Sequence, residues 1–208
     1  MSALLSPEFL LTSLIFVLVP GTLVVYTVGQ ALTHGRRAGV VASVGCTFGI
    51  LPHLLAAVFG LSALLNASAV AFQTLKYAGV AYLLYMAWSL WREARPLDVS
   101  AGAQPRESAA RIVLRGVLLN LLNPKLTAFF FAFLPQFIPT DAVSPTAVTL
   151  ALATVFMAMT FVVFVVYALA AAAGRGWLAR RRSAVVVLQR GFAVAIAGLA
   201  AKLAFQRA

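Results

Sequence analysis

Six long apolar segments, separated by mostly short polar gaps, account for most of the sequence. They lie at about 9–32, 38–65, 69–91, 112–138, 146–173 and 184–205. A helix needs roughly 20 mostly apolar residues to cross a bilayer, and each segment has about that length or more. The pattern therefore predicts an all-α integral membrane protein with six transmembrane helices.

The gap between the third and fourth segments, "REARPLDVSAGAQPRESAAR", is the only long one. It divides a single transmembrane domain, residues 1–208, into a first repeat at about 1–92, a cytoplasmic loop at about 93–111 and a second repeat at about 112–208. Each half has three helices, so two structurally related halves must have opposite orientations in the membrane. We therefore predict two inverted three-helix repeats.

Composition and charge support a membrane protein. Hydrophobic residues make up 62% of the chain, whereas soluble domains average roughly 45–50%. The formal net charge of +11 does not indicate nucleic-acid binding, because most arginines lie in the first, third and fifth gaps. Lysine and arginine collect in cytoplasmic loops. This distribution places those three gaps in the cytoplasm and both termini outside.

Cofactor chemistry and enzyme activity are not expected from the sequence. Cys46 is the one cysteine, so the chain forms neither an intrachain disulfide nor a cysteine metal cluster. No metal-ligand spacing, nucleotide loop or nucleophile–base pairing can be recognised. The N-terminus "MSALLSPEFLL" lacks the basic region of a signal peptide, so we expect the first segment to stay in the mature protein.

The first helices of the two halves carry matching interruptions. The first reads "FVLVPGTLVV", with Pro20 and Gly21, and the fourth reads "NLLNPKLTAF", with Pro124 and Lys125. Proline has no N–H, so the carbonyl four residues earlier loses its helical partner. Such a carbonyl is tolerated at membrane depth only where it is buried in protein or lines a wet cavity. Paired breaks in inverted halves indicate a transporter's binding site.

A substrate carboxylate suits the predicted site. Half-helix N-termini present free N–H groups and a positive dipole end, and Lys125 adds a full positive charge. We predict that Asn120, Asn123 and Thr22 contact polar groups of the substrate. Two alternatives remain: proline kinks that line no site, or a Lys125 that extends to the surface and leaves the asparagines as a cytoplasmic cap.

Helix packing and proton coupling have their own candidates. Gly45 and Gly49 form a small-xxx-small pair in the second helix, and we assign them, with Gly79 of the third helix, to helix packing. Such faces permit a homodimer but do not require one. His53 is the one histidine within a predicted span, and no Asp or Glu lies in mid-span. It is therefore the internal candidate for carrying protons, with simple packing as the alternative.

Three segments closely resemble the LysE/RhtB family of amino-acid exporters. They are "RGVLLNLLNPKLTAFFFAFLPQF", "GRRAGVVASVGCTFGILPHLLAAVFGLSALL" and "LKYAGVAYLLYMAWSLWR". The resemblance implies six helices and export of amino acids or their derivatives, commonly proton-linked, across a bacterial inner membrane. The family's first helix usually carries proline-glycine-proline, whereas this chain reads Pro20-Gly21-Thr22. We therefore expect a substrate pocket that differs from those of better-known members.

These features together predict an inner-membrane secondary exporter of small amino acids or their derivatives that works by alternating access around the two breaks. The expected partners are a small-molecule substrate and the lipid bilayer. A metal-cation exporter on the same scaffold is the first alternative, disfavoured because the spans lack carboxylates and a cysteine cluster. A non-transporting membrane component is the second, and an intramembrane enzyme is the most distant.

Overall fold

The computed structural model describes residues 6–65, 69–92, 107–139, 142–174 and 182–205, and these residues form helices without any β-strand. The first half contains α1 (Pro7–Leu18), α2 (Thr22–His34), α3 (Arg36–Phe48), α4 (Leu51–Leu65) and α5 (Ala69–Arg92). The second half contains α6 (Ala109–Leu121), α7 (Pro124–Ala128), a π-helix (Phe129–Phe133), a 3-10 helix (Leu134–Phe137), α8 (Pro145–Ala173) and α9 (Arg182–Phe205). The predicted all-α class is confirmed.

Candidate membrane spans are of two kinds in the described part of the chain. Two helical stretches, Arg36–Gly60 and α8, are long and apolar enough by themselves. Two bent pairs, α1 with α2 and α6 with Pro124–Phe137, pass the same test when each pair counts as one span. Helices α5 and α9 have 24 residues each, which also suffices in length. The arrangement of six spans in two inverted repeats stays a prediction.

The second predicted span, 38–65, is not one continuous α-helix. Helix α3 ends at Phe48 and α4 begins at Leu51. Pro52 has no N–H to donate to the carbonyl of Phe48, which ends the regular hydrogen bonding at this point. Pro52 indicates the break in the sequence, but the apolar run continues through it, so the segment was predicted as one helix.

Aromatic side chains fill the centre of the described structure. The rings of Phe129 and Phe156 stack with centroids 4.0 Å apart. Phe16 of α1 packs against Phe129 at 5.1 Å and against Phe133 at 5.0 Å. All four side chains are buried. The segment "FFFAF" at 129–133 therefore packs α1 and α8 together around the second broken helix.

Helices α3 and α6, one from each half, approach each other closely at glycines. A Cβ atom added to Gly45 would lie 2.5 Å from the carbonyl oxygen of Val113, and one added to Gly49 would lie 2.5 Å from the Cβ of Asn120. Gly116 of α6 lies against the same stretch of α3. Side chains at these positions would keep the two backbones apart. The close approach brings Asn120 directly against α3.

Candidate functional site

The first break separates two half-helices at Pro20 and Gly21. The chain bends by 57° between α1 and α2. Gly21 is the N-cap of α2, and no side chain caps that end of the helix. The first N–H groups of an α-helix have no partner within the helix. The start of α2 therefore offers hydrogen-bond donors and the positive end of a helix dipole.

Two side chains from the second half hydrogen-bond to the C-terminal end of α1. The hydroxyl of Tyr167 donates to the carbonyl of Leu18 at 2.8 Å. The Nζ of Lys125 donates to the carbonyl of Val19 at 3.1 Å. A cation suits this position, because the C-terminal end of a helix carries the negative end of its dipole. The lysine that follows the second break thus contacts the first break.

The second break lies between α6 and α7. The chain bends by 52° there, and Asn123 is the N-cap of α7. Its side-chain Oδ1 accepts a hydrogen bond from the backbone N–H of Lys125 at 3.1 Å. Its backbone carbonyl accepts one from Leu126 N at 3.1 Å. Of the two half-helix N-termini predicted to bind a carboxylate, only that of α2 lacks a side-chain cap.

The backbone carbonyl of Asn120 is the one that Pro124 leaves without its helical partner. His53 Nε2 lies 3.0 Å from this oxygen, and the backbone N–H of Asn123 donates to it at 2.9 Å. A carbonyl only accepts hydrogen bonds, so Nε2 carries the proton in this contact. His53 is buried, and its ring stacks on Phe130. The histidine therefore compensates for the second proline break.

The side chain of Asn120 compensates for the end of α3 in the same way. The backbone N–H of Ile50 bonds to the carbonyl of Thr47 at the end of α3, so the carbonyl of Cys46 lacks its regular helical donor. The Nδ2 of Asn120 donates to this Cys46 carbonyl. Asn120 is fully buried. The Asn120 side chain therefore joins α6 of the second half to α3 of the first half.

A small cavity lies where the two breaks meet. It has a volume of about 30 Å³, which is room for one or two water molecules. Gly21, Asn120, Asn123 and Lys125 of the predicted site line it, together with the start of α2 and the apolar side chains of α1 and α8. Thr160 of α8 also lines it. Thr160 could not be selected from the sequence, because a threonine in a membrane helix can bond to its own backbone, as this one does to Phe156.

The other predicted residues lie outside this lining. Pro20 and Pro124 form the breaks themselves. Thr22 is exposed and is the first residue of α2. Gly79 lies within α5, and the packing around it falls outside what the structure describes. No group of three or more His, Cys, Asp or Glu side chains that could hold a metal ion occurs among the described residues.

Comparison with known proteins identifies the family. The model of the LysE type translocator family matches residues 14–207. The chain belongs to this family. A homoserine/homoserine lactone efflux protein of Salmonella typhimurium is 37% identical to this translocator over 130 residues, which is 62% of the chain and 63% of that protein. A leucine efflux protein of Enterobacter sp. is 31% identical over 153 residues, 71% and 72% of the two chains.

A third relative shares more of the translocator's length. An uncharacterized membrane protein of Vibrio cholerae is 36% identical over 168 residues, or 80% of this chain and 81% of that protein. No solved structure matches the translocator. The family match confirms the resemblance seen in the sequence, and it identifies the chain as an integral membrane protein of a transporter family rather than an enzyme family.

Proposed function

We propose that this translocator exports small amino acids or their derivatives across the bacterial inner membrane. The observation that carries the proposal is the amine of Lys125 beside the uncapped N-terminus of α2, in the cavity between the two breaks. A cation and free backbone N–H groups together suit the carboxylate of an amino acid. The names of the homoserine and leucine efflux relatives indicate the same class of substrate.

Lys125 has donors to spare for a substrate. Its ammonium group has three N–H bonds, and one is used by the carbonyl of Val19. In our proposal the other two bind the substrate carboxylate, together with the first N–H groups of α2. Phe156 and Phe164 line the apolar wall of the cavity and would pack against a short substrate side chain. Thr160 and Asn123 supply polar contacts.

Alternating access, in this proposal, bends the chain at the two breaks. Two contacts join α2 of the first half to the start of α6 and the residues before it. The hydroxyl of Tyr26 donates to the carbonyl of Ile112 at 2.8 Å, and Gln30 Nε2 donates to Glu107 at 3.3 Å. With the orientation predicted from the arginines, this end faces the cytoplasm. The contacts would break when the exporter opens inward.

Exchange of substrate against protons is part of the proposal, with His53 as the candidate carrier. His53→Leu is expected to lower export, because it removes one of the two donors to the carbonyl of Asn120, at about 1–3 kcal/mol. His53→Gln restores an N–H donor but cannot titrate. We expect it to keep amino-acid counterflow in proteoliposomes while losing the acceleration by a pH gradient. An undiminished response to pH in His53→Gln would exclude His53 from coupling.

The function is tested by export from intact bacterial cells. Cells with and without the protein are loaded with a panel of dipeptides, which they hydrolyse inside, and the amino acids in the medium are followed by mass spectrometry. We expect several-fold faster release of a few small amino acids when the protein is present. Equal release of every amino acid would overturn the proposal and favour another solute. A chemically altered product would indicate an enzyme.

A further inference from the structure

A second, larger cavity lies at the other end of α2, between the starts of α3 and α6. It has a volume of about 460 Å³. Its polar lining consists of His34, Arg37 and Glu107. None of the residues predicted from the sequence to bind substrate lies there. With the predicted orientation, this cavity opens to the cytoplasm, the side from which an exporter takes its substrate.

The cavity offers both signs of charge. The two oxygens of Glu107 contact the guanidinium of Arg115 at 3.0 and 3.3 Å, and Gln30 donates to the same carboxylate. The Arg115 side chain is 53% exposed, so water weakens this ion pair. Arg37 is exposed and makes no ion pair with the described residues. One carboxylate and one available guanidinium thus line the same space.

Buried polar atoms in and beside the cavity lack partners. Neither ring nitrogen of His34 makes a hydrogen bond with the described part of the chain, and the same holds for Oε1 of Gln30. Gln30 is only 8% exposed. Buried polar atoms are nearly always hydrogen-bonded in native proteins. These atoms have almost no accessible surface, so they belong to the wall behind the cavity and would meet a polar occupant only when that wall opens.

One face of α2 runs from this cavity, here called the outer cavity, to the small cavity at the breaks, here called the deep cavity. Leu23 lines the deep cavity and His34 lines the outer one. Thr27 and Gln30 lie between them on the same face, because spacings of three and four residues repeat along one side of a helix. Both are buried. Thr27 and Gln30 are thus the two buried polar side chains along the roughly 16 Å of α2 between Leu23 and His34.

We propose that the outer cavity is an entrance site that binds the amino acid as a zwitterion before it reaches the breaks. Glu107 takes the ammonium group and Arg37 takes the carboxylate. The contacts of Tyr26 with Ile112 and of Gln30 with Glu107 close the way inward, and their opening passes the amino acid along α2. This inference rests on the proposed export function.

Uptake into inverted membrane vesicles tests the site, because their outer face is the cytoplasmic face. The substrate is labelled L-homoserine. One competitor is its lactone, which keeps the ammonium group but has no carboxylate. The other is N-acetyl-L-homoserine, which keeps the carboxylate but has no ammonium group. We expect Glu107→Gln to weaken inhibition by the lactone alone, and Arg37→Gln to weaken inhibition by the N-acetyl compound alone, each about three- to tenfold. Both variants raise the KM for homoserine, and Arg37→Gln keeps the maximal rate because Arg37 takes no part in the contacts that close the way inward.

Arg36→Gln is the matched control, because Arg36 is also exposed and lines a different groove. Equal weakening of both inhibitors in one variant would indicate a disturbed fold and overturn the proposal. Unchanged constants would mean that the cavity holds water only. If the export panel names another amino acid, that amino acid, its methyl ester and its N-acetyl form replace the homoserine compounds. Absence of saturable uptake of every panel amino acid by the wild-type protein would overturn the export function as well.

Discussion

Replacing Lys125 by methionine is expected to lower amino-acid export about ten- to a hundredfold while leaving the protein in the membrane. Methionine has a similar length and apolar stem but no charge and no N–H donors. The substrate carboxylate would lose its cationic partner, and the carbonyl of Val19 would lose the donor that now lies 3.1 Å away. The first loss, which acts on export directly, amounts to about 1.5–3 kcal/mol, and 1.4 kcal/mol is a tenfold change. Release of the exported amino acid from dipeptide-loaded cells measures the effect.

Tyr167→Phe is the control for this substitution. It removes the neighbouring hydrogen bond to the same end of α1, that from the Tyr167 hydroxyl to the carbonyl of Leu18, and Tyr167 is not among the residues lining the deep cavity. We expect this variant to keep most of its export. Equal losses in the two variants, at equal amounts of protein in the membrane, would show that Lys125 acts on helix α1 and not on the substrate. Normal export by Lys125→Met would end the carboxylate hypothesis.

Gly45→Leu is expected to lower the folded fraction of the protein in detergent. The new Cβ would lie 2.5 Å from the carbonyl oxygen of Val113 and 2.8 Å from its Cα. Both are backbone atoms, so no side-chain rotation relieves the clash, and α6 must move away from α3. Overpacking costs about 1–3 kcal/mol or more, against a total stability of about 5–15 kcal/mol for a typical protein. Size-exclusion chromatography of a fluorescent fusion in detergent measures the folded fraction.

Gly29 of α2 offers a matched position for comparison. No atom lies within 4 Å of a Cβ added there, and it too is a glycine inside a helix. Gly29→Leu should elute as the wild-type protein does, and Gly29→Ala should melt at the same temperature or slightly higher. Gly45→Ala should melt clearly lower. Equal melting temperatures for the two alanine variants would show that α3 and α6 are farther apart than the structure has them.

The positions of the two breaks follow from local chemistry, which is why the sequence indicates them. Pro20 and Pro124 remove backbone donors whatever the rest of the chain does. The contact between Lys125 and Val19 is different, because it joins residues 106 positions apart. It depends on how the two halves pack, and a single sequence carries no signal for that packing. The helical class was predictable from the apolar segments of the chain, because these segments, like the prolines, act on the backbone where they stand.

The role of Asn120 shows the same limit of sequence reasoning. Two asparagines in an apolar segment call for hydrogen-bond partners, and the sequence led us to expect those partners on the substrate. The structure gives the Asn120 amide and carbonyl partners on α3 and α4, Cys46 and His53. The π-helix at Phe129–Phe133 was not predicted either, because a run of aromatic residues has the same composition in an α-helix and in a π-helix.

The hydrogen bonds that the second half makes to the end of α1 have a consequence for biosynthesis. The ribosome makes Leu18 and Val19 long before their partners, since Lys125 follows Val19 by 106 residues and Tyr167 follows Leu18 by 149. At about 5–20 residues per second, the first break enters the membrane roughly 5–30 s before these side chains exist. During that time, water or the insertion machinery must shelter its carbonyls. The amino-terminal half is thus a nascent intermediate that matures only when the carboxy-terminal half arrives.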